Sequence, residues 1–258
     1  MGILNITPDS FSDGGLYLDP ERALDRALQM EEEGADLIDI GAESTRPGAE
    51  PISEDEESKR LFPVFKKIAP RLKIPISIDT QKGKIARKAV EEGAVLINDV
   101  SALRDPEMVT LLAEKKMPII LMHMREEPRT MQKNVFYEDV LSEIGEFFRQ
   151  KIDFAEARGI PRDKILIDPG IGFGKGNEDN FKIIRQLGEF KKWGCPIALG
   201  TSKKSFIRKT LGEDLSQVIL GSLVTALFAA EHGASLLRVH NVRETKEVFR
   251  LARNLFFA

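Results

Sequence analysis

Carboxylates, amides and basic side chains recur where short apolar runs of this chain end: Asn5, Asp39, Asp79, Asn98, His123, Asp168, Lys204, and the pair Arg238 and His240. Taken singly, an Asp, Asn or Ser in such a place caps a helix or turn by satisfying backbone N–H groups. When every apolar run ends this way, the residues read instead as one mouth in which donors and acceptors converge. Arg238 and His240 stand two apart, so on an extended strand they share a face.

Three connecting segments differ from ordinary linkers. Residues 7–18 are polar, carry Gly14 and Gly15, and hold Phe11 in their middle. Residues 41–51 read GAESTRPGAEP, too broken by proline and glycine for a helix. Both read as lids that close and exclude water. Residues 169–176, PGIGFGKG, bring backbone N–H groups near a ligand. Their spacing fits neither a P-loop nor a dinucleotide fingerprint, so no nucleotide site is read there.

The elements that must position these groups follow from the apolar periodicity. β-type runs fall at 3–6, 37–40, 74–78, 95–97, 118–122, 165–167, 196–199 and 236–239, with helical spacing between them. Asp19-Pro20 and Asp105-Pro106 open two helices, and Ser53 with Glu56 reads as a capping box for another. A long helix is expected from 136 to 158 with Gly159 as its stop, and Asn241 with Glu244 resembles the cap of the last one. One signature recurs: Glu33-Gly34-Ala35, Glu92-Gly93-Ala94 and His232-Gly233-Ala234 each read as a helix ended by a left-handed glycine turning into a buried strand. Their spacing gives units of about 30 to 35 residues, the size of a strand–helix module. Eight such units over residues 1–258 favour an α/β fold, a single-domain (β/α)8 TIM barrel, over an open doubly wound sheet.

Composition excludes other classes. Lys and Arg number 38 against 41 Asp and Glu, a net charge of −3, which argues against a protein built to hold nucleic acid phosphates. Cys195 is the only cysteine, so no internal disulfide forms, and it reads as a small core residue. The mostly apolar run at 218–230 is too short and interrupted for a membrane span, and the start shows no targeting features, so a cytoplasmic protein is expected with no membrane partner. The helix at 216–232 is apolar nearly all round and is expected to be buried, by packing on the barrel or in part against a partner. His123 is expected inside the barrel, and the acidic run 54–57 is expected to be a solvated first turn.

The order MGILNITPDSFSDGG at the start, STRPGA at 44–49, SIDT at 77–80, INDVSA at 97–102, LMHM at 121–124, PRTMQ at 128–132, DPGIGFGK at 168–175, GTSKKSF at 200–206 and RVHNV at 238–242 resembles the dihydropteroate synthase family. The resemblance implies condensation of 6-hydroxymethyl-7,8-dihydropterin diphosphate with 4-aminobenzoate in folate biosynthesis, inhibition by sulfonamides, Mg2+ as cofactor, and a homodimer. By the same resemblance Asp79, Asn98, Asp168 and Lys204 bind the pterin, and Thr45, Arg238 and His240 bind the diphosphate. Phe11, Asp13, Arg46, Pro47, Phe173 and Ser205 belong to the aminobenzoate site and its lids, and Asn5 is the metal position. Asp79, Lys204, Arg238 and His240 would carry the chemistry. A pterin edge offers several donors and few acceptors, which suits carboxylates and amides.

The chain departs from the family pattern at Lys203, where an arginine is usual, at Arg125-Glu126-Glu127, at Gly176-Asn177-Glu178, and in opening directly on the first strand. Two other readings remain at this stage, a pterin-dependent methyltransferase and a non-catalytic pterin-binding paralogue.

Overall fold

Strands and helices alternate, as the switching periodicity requires. The structure, a computed structural model, describes residues 1–7, 19–126, 128–131 and 135–256. Its strands are β1 (Gly2–Asn5), β2 (Ile38–Gly41), β3 (Ile76–Asp79), β4 (Leu96–Asp99), β5 (Ile119–Met122), β6 (Ile165–Asp168), β7 (Ile197–Leu199) and β8 (Ala234–Leu237). The helices are α1 (Pro20–Glu32), α2 (Glu54–Ile68), α3 (Gly83–Glu91), α4 (Pro106–Lys115), α5 (Val140–Ala157), α6 (Asn177–Arg185), α7 (Ser205–Leu211), α8 (Leu215–Glu231) and α9 (Val242–Phe256).

The strands pair in parallel and in chain order. A parallel bridge between Gly2 and Val239 joins the two ends of the sheet: Ile3 N–H donates to the Val239 carbonyl and Val239 N–H to the Met1 carbonyl, both at 3.0 Å. The ring closes, and the expected (β/α)8 barrel results.

The three repeated turns act as read. Gly34, Gly93 and Gly233 have φ of +94°, +111° and +112° and stand just before β2, β4 and β8. The Gly233 turn starts β8 two residues earlier than the apolar run suggests. Asp19 caps α1 through the N–H groups of Glu21 and Arg22, and Asp105 caps α4 through that of Glu107. The box at α2 is half made: Ser53 accepts from Glu56 N–H, but the Glu56 carboxylate turns to Arg60. Asn241 does not cap α9; its amide donates to Glu244. The fifth helix begins at Val140 rather than 136, because the segment before it is tied elsewhere. The Phe136 carbonyl accepts from Arg125, the Tyr137 hydroxyl donates to the Gly174 carbonyl, and Glu138 N–H donates to Glu143.

Two apolar shells hold the barrel. Between sheet and helices lie the outward strand residues, such as Ile38, Ile40, Ile78 and Ile97, packed with Phe65, Phe148, Phe190 and Phe206. Each buried phenylalanine contributes roughly 1.5–3 kcal/mol. Inside the ring, Met1, Leu37, Leu96, Ile120 and Ala198, with Leu166 and Leu236, plug the end where the strands begin. Side chains alternate along a strand, so the residues two further on face the same interior. There Leu37 gives way to Asp39, Leu96 to Asn98, Leu166 to Asp168 and Leu236 to Arg238. A dry plug thus turns polar within one strand period.

On this one chain α8 is buried along one side only. Its inner face packs on the barrel through Val218, Ala226 and Ala229, but Leu215, Leu220, Val224 and Phe228 are exposed. No single helix among the described residues is long and apolar enough to cross a membrane; α7 and α8 pass such a test only as a pair bent by 117°.

Candidate active site

The polar layer is knit around Arg238. Its Nε donates to Asp39 Oδ2 at 2.9 Å, its NH2 group donates to the same oxygen, and NH2 also reaches Asp79 Oδ2 at 2.8 Å. Asn98 Nδ2 donates to Asp39 Oδ2 at 3.3 Å. Three chain-distant residues from the expected set, Asp79, Asn98 and Arg238, therefore meet across Asp39, which sequence reasoning had noted only as a strand-end acid. Asp39 Oδ1 has no hydrogen-bond partner among the described residues. Burial lifts the Asp79 carboxyl to about 7 despite Arg238 beside it. Gly41 makes room here, since a Cβ on it would stand 3.2 Å from Asp79 Cβ.

Asp168 joins this layer from β6. Burial pushes its pKa up, opposed by the Gly170 N–H that donates to its Oδ1 at 2.7 Å. Gly170 is irreplaceable at this approach: its φ is +69° and a Cβ would lie 2.0 Å from the His123 carbonyl oxygen. The loop beyond carries Phe173, whose ring lies 4.0 Å from Lys204 Nζ. Phe173 also packs with Val100, Met122, Met124 and Met131, an apolar wall beside the polar layer. Sequence reasoning missed that wall; the inward parity of Met122 on β5 was its only signal.

Lys204 stands at the end of the β7 turn, where burial and Arg238 lower its pKa to about 8 although Asp168 and Asp79 oppose them. His240 Nδ1 lies 3.0 Å from Ser202 Oγ. Its pKa is driven well below the ordinary imidazole value by burial and then by Lys203, Arg238, Lys204 and Arg46. The charges acting most on His240 are all cations, which is the electrostatic signature of a place made for an anion. Arg46 is thereby placed within electrostatic reach of both His240 and Lys204.

Other expected residues are less closely joined. Thr45 is half-buried and Pro47 exposed on the 41–51 loop, and neither hydrogen-bonds the polar layer among the described residues. Ser205 is exposed at the first position of α7. Phe11 and Asp13 lie outside the described residues.

His123 corrects an expectation. It does not face the interior: its ring meets Phe147 of α5 edge-on at 4.8 Å, and Nδ1 lies 2.9 Å from Lys175 Nζ. Lys175 also donates to the carbonyls of His123 and Phe173, three acceptors for the three N–H groups of an ammonium. Burial lowers this lysine to about 7. The pair fastens the Phe173 loop to the end of β5.

A second correction concerns the acidic run 54–57. Glu57 is fully buried, accepting from Thr80 Oγ1 at 2.6 Å and from Lys82 Nζ at 2.6 Å. Its place on the stripe Glu57, Leu61, Phe65, Ile68 was the legible signal.

Asn5 closes β1 at the rim, and its carboxamide has no hydrogen-bond partner among the described residues. No group of three His, Cys, Asp or Glu able to hold a metal occurs among them. That donor set fits a hard cation that takes one amide oxygen from the protein and fills its other positions with phosphate oxygens and water.

Known proteins are similar to this chain over nearly its whole length. The family model of pterin binding enzymes matches residues 1–240. The dihydropteroate synthase of Escherichia coli (strain K12) is 43% identical over 251 residues, covering 97% of this chain and 89% of its own. Among solved structures, a Yersinia pestis dihydropteroate synthase in complex with a sulfonamide drug superposes with a TM-score of 0.96 at 41% identity, covering 100% of this chain and 94% of that one. The Xanthomonas albilineans enzyme, solved with 4-aminobenzoic acid, gives 0.92 at 41% identity, covering 100% and 93%. In complex with 7,8-dihydropteroate it gives 0.88 at 39% identity and the same coverage.

Proposed function

The chain belongs to the pterin binding enzyme family and is a dihydropteroate synthase, a transferase, and from that premise we propose how its barrel mouth divides the work. The observation that carries the division is the meeting of a buried acid–amide layer with a cluster of cations acting on one half-buried histidine.

Asp168 and Asn98 take the donors of the pterin edge, and Lys204 contacts the ring from the β7 end. The wall formed by Val100, Met122 and Phe173 excludes water from one side of the ring. Arg238 and His240, with Thr45, hold the diphosphate. His240 is neutral in the free protein, so it donates a single N–H, and the arrival of a polyanion favours its protonation. Asn5 is the residue that would hold Mg2+, which when bound supplies positive charge to the diphosphate.

The reaction is a largely dissociative substitution. The bond between the pterin methylene carbon and the diphosphate oxygen breaks, and its electron pair leaves with the diphosphate toward Arg238 and His240. Asp79, when ionised, faces the methylene cation that results. The aniline nitrogen of 4-aminobenzoate then forms the new carbon–nitrogen bond and loses one proton to solvent. Ser205 and the first N–H groups of α7 receive the aminobenzoate carboxylate. Phe173 and Pro47 flank its ring, while Arg46, Phe11 and Asp13 belong to the segments that close over it. No protein nucleophile is needed.

The purified protein, incubated with the pterin diphosphate, 4-aminobenzoate and Mg2+, is expected to form 7,8-dihydropteroate and diphosphate in equal amounts. A folded protein that binds the pterin yet releases no diphosphate would instead behave as a methyltransferase or a non-catalytic relative. Substituting Asn5→Ala is expected to raise the Mg2+ concentration needed for half-maximal rate; an unchanged requirement would remove Asn5 as the metal position.

The same reading makes the enzyme a homodimer. Leu215, Leu220, Val224 and Phe228 on α8, with Leu251 and Leu255 on α9, leave an apolar surface that a second copy would cover. Sedimentation is expected to show a dimer that Val224→Asp converts to monomer; a monomeric parent protein would overturn the assignment.

A further inference from the structure

We propose that Glu43 and Lys82 form a clasp that sets the conformation of the 44–51 loop, which makes them positioning residues for the groups that loop carries. The proposal rests on the reading that Thr45, Arg46 and Pro47 serve the diphosphate and the aminobenzoate.

Glu43 is the last buried side chain before the loop. Its Oε1 accepts the N–H of Ile52 at 3.0 Å, so one carboxylate ties the outgoing strand to the returning chain. Its Oε2 accepts from Gln81 Nε2 at 3.2 Å and from Lys82 Nζ at 2.7 Å. Lys82 in turn bonds Glu57 on α2, and the Thr80 hydroxyl donates to Glu57 while accepting Lys82 N–H at 3.2 Å. Every oxygen of the two carboxylates is therefore used. The clasp joins β2, the β3 turn, α2 and the far end of the loop. Side-chain exposures of 4% for Glu43, 0% for Glu57 and 17% for Lys82 keep these bonds from water. Burial opposes the Lys82 charge, but its bonds to Glu43 and Glu57 more than reverse that and raise its pKa.

The loop needs such a device. STRPGAEP offers few apolar side chains to anchor it, and two backbone hydrogen bonds accompany the clasp among the described residues. Ala49 N–H donates to the Arg46 carbonyl and Gly48 N–H to the Pro128 carbonyl, each at 3.0 Å. Holding both ends at one carboxylate shortens the span that must be ordered when substrates arrive. Ile52 adjoins Ser53, the N-cap of α2, so the clasp also fixes the loop against a rigid helix. The strand-borne pterin layer meets this cluster through the main chain, where Thr80 N–H donates to the Asn98 carbonyl at 3.2 Å. No side-chain hydrogen bond joins the two among the described residues, so a side-chain substitution in one leaves the other's side-chain bonds in place.

Glu43→Ala and Glu43→Gln separate the clasp from a general structural role. Hydrogen exchange of the ligand-free, full-length protein is expected to speed up at 44–52 by about tenfold or more in Glu43→Ala, with strand amides unchanged. KM for 4-aminobenzoate is expected to rise about tenfold, while affinity for 6-hydroxymethylpterin, which lacks the diphosphate, stays within about twofold of the parent. Glu43→Gln keeps a carbonyl acceptor for Ile52 N–H but turns an NH2 donor toward Gln81 and Lys82, and is expected to show both effects at a size between those of the parent and Glu43→Ala. Unchanged exchange at 44–52 in Glu43→Ala, or a KM rise matched by equal loss of pterin affinity, overturns the proposal. Should Glu43→Ala not fold, Glu43→Asp, which keeps the charge but withdraws it by one methylene, is expected to show the exchange signature, and its absence is equally decisive. If the parent protein makes no dihydropteroate, the reaction assigned above falls, and the exchange comparison alone still decides the clasp.

Discussion

Two clusters in this barrel have the same composition, two carboxylates around one cation, and opposite states of satisfaction. At the rim, Glu43 and Glu57 surround Lys82 and every carboxylate oxygen has a donor. In the mouth, Asp39 and Asp79 surround Arg238, but Asp39 receives its donors on one oxygen and leaves Oδ1 without any among the described residues. The side chain of Asp79 also stays 12% exposed, whereas Glu57 is sealed. The contrast teaches that counting buried charges does not separate scaffold from site. Unused bonding capacity does, because a substrate can only bind groups whose valences are not already filled.

The sharpest break of that comparison is to remove each cation. Arg238→Met and Lys82→Met both leave two buried acids without a counter-charge, and each is expected to destabilise the fold by about 3–5 kcal/mol, read from the urea midpoint. Only Arg238→Met is expected to lower kcat/KM by a factor on the order of 1,000 and to weaken pterin binding. Equal kinetic losses in the two variants would erase the distinction.

Asp79 gives the next effect. With its folded pKa near 7, above an unfolded value of about 3.9, the native state holds the proton longer than the unfolded chain does. The associated stability is full below about pH 4 and is lost as pH rises to about 7. Asp79→Asn is expected to flatten that decline in urea melts at pH 4.5 and 7.5. Because the ionised form is the one that faces a cation, kcat/KM of the parent is expected to rise through about pH 7, and the substitution to abolish that limb. A parent profile without the limb would deny Asp79 its charge-dependent part.

The smallest effect belongs to the rim. Thr80→Val removes both hydrogen bonds of the hydroxyl, the one it donates to Glu57 and the one it accepts from Lys82 N–H, and is expected to cost about 1.5–3 kcal/mol, with pterin affinity unchanged by calorimetry. A loss of affinity here would mean that rim and mouth are coupled.

Much of this was legible from residue order, and the exceptions have physical causes. The glycine turns at 34, 93 and 233 mark strand starts because a left-handed stop is a local requirement that nothing distant can override. The polar mouth could be read because strand ends are fixed by short-range periodicity, so Asp79, Asn98, Asp168 and Arg238 each reach the expected layer. Glu57 was misread because an acid at a helix start satisfies the dipole wherever it points, and only the lysine contributed by β3's turn decides that it is buried. His123 was misplaced by one residue of strand parity, and a single step reverses the face. The exposed apolar side of α8 could not be told from its buried side, since both are built from the same residue types.

The seam between Gly2 and Val239 has a consequence for biosynthesis. A ribosome must deliver the eighth strand before the first meets its second neighbour, so a nascent chain carries an unpaired edge on β1 for as long as the intervening residues are being made. Truncations that stop short of the eighth strand are therefore expected to present two raw edges and to aggregate, whichever catalytic groups they retain.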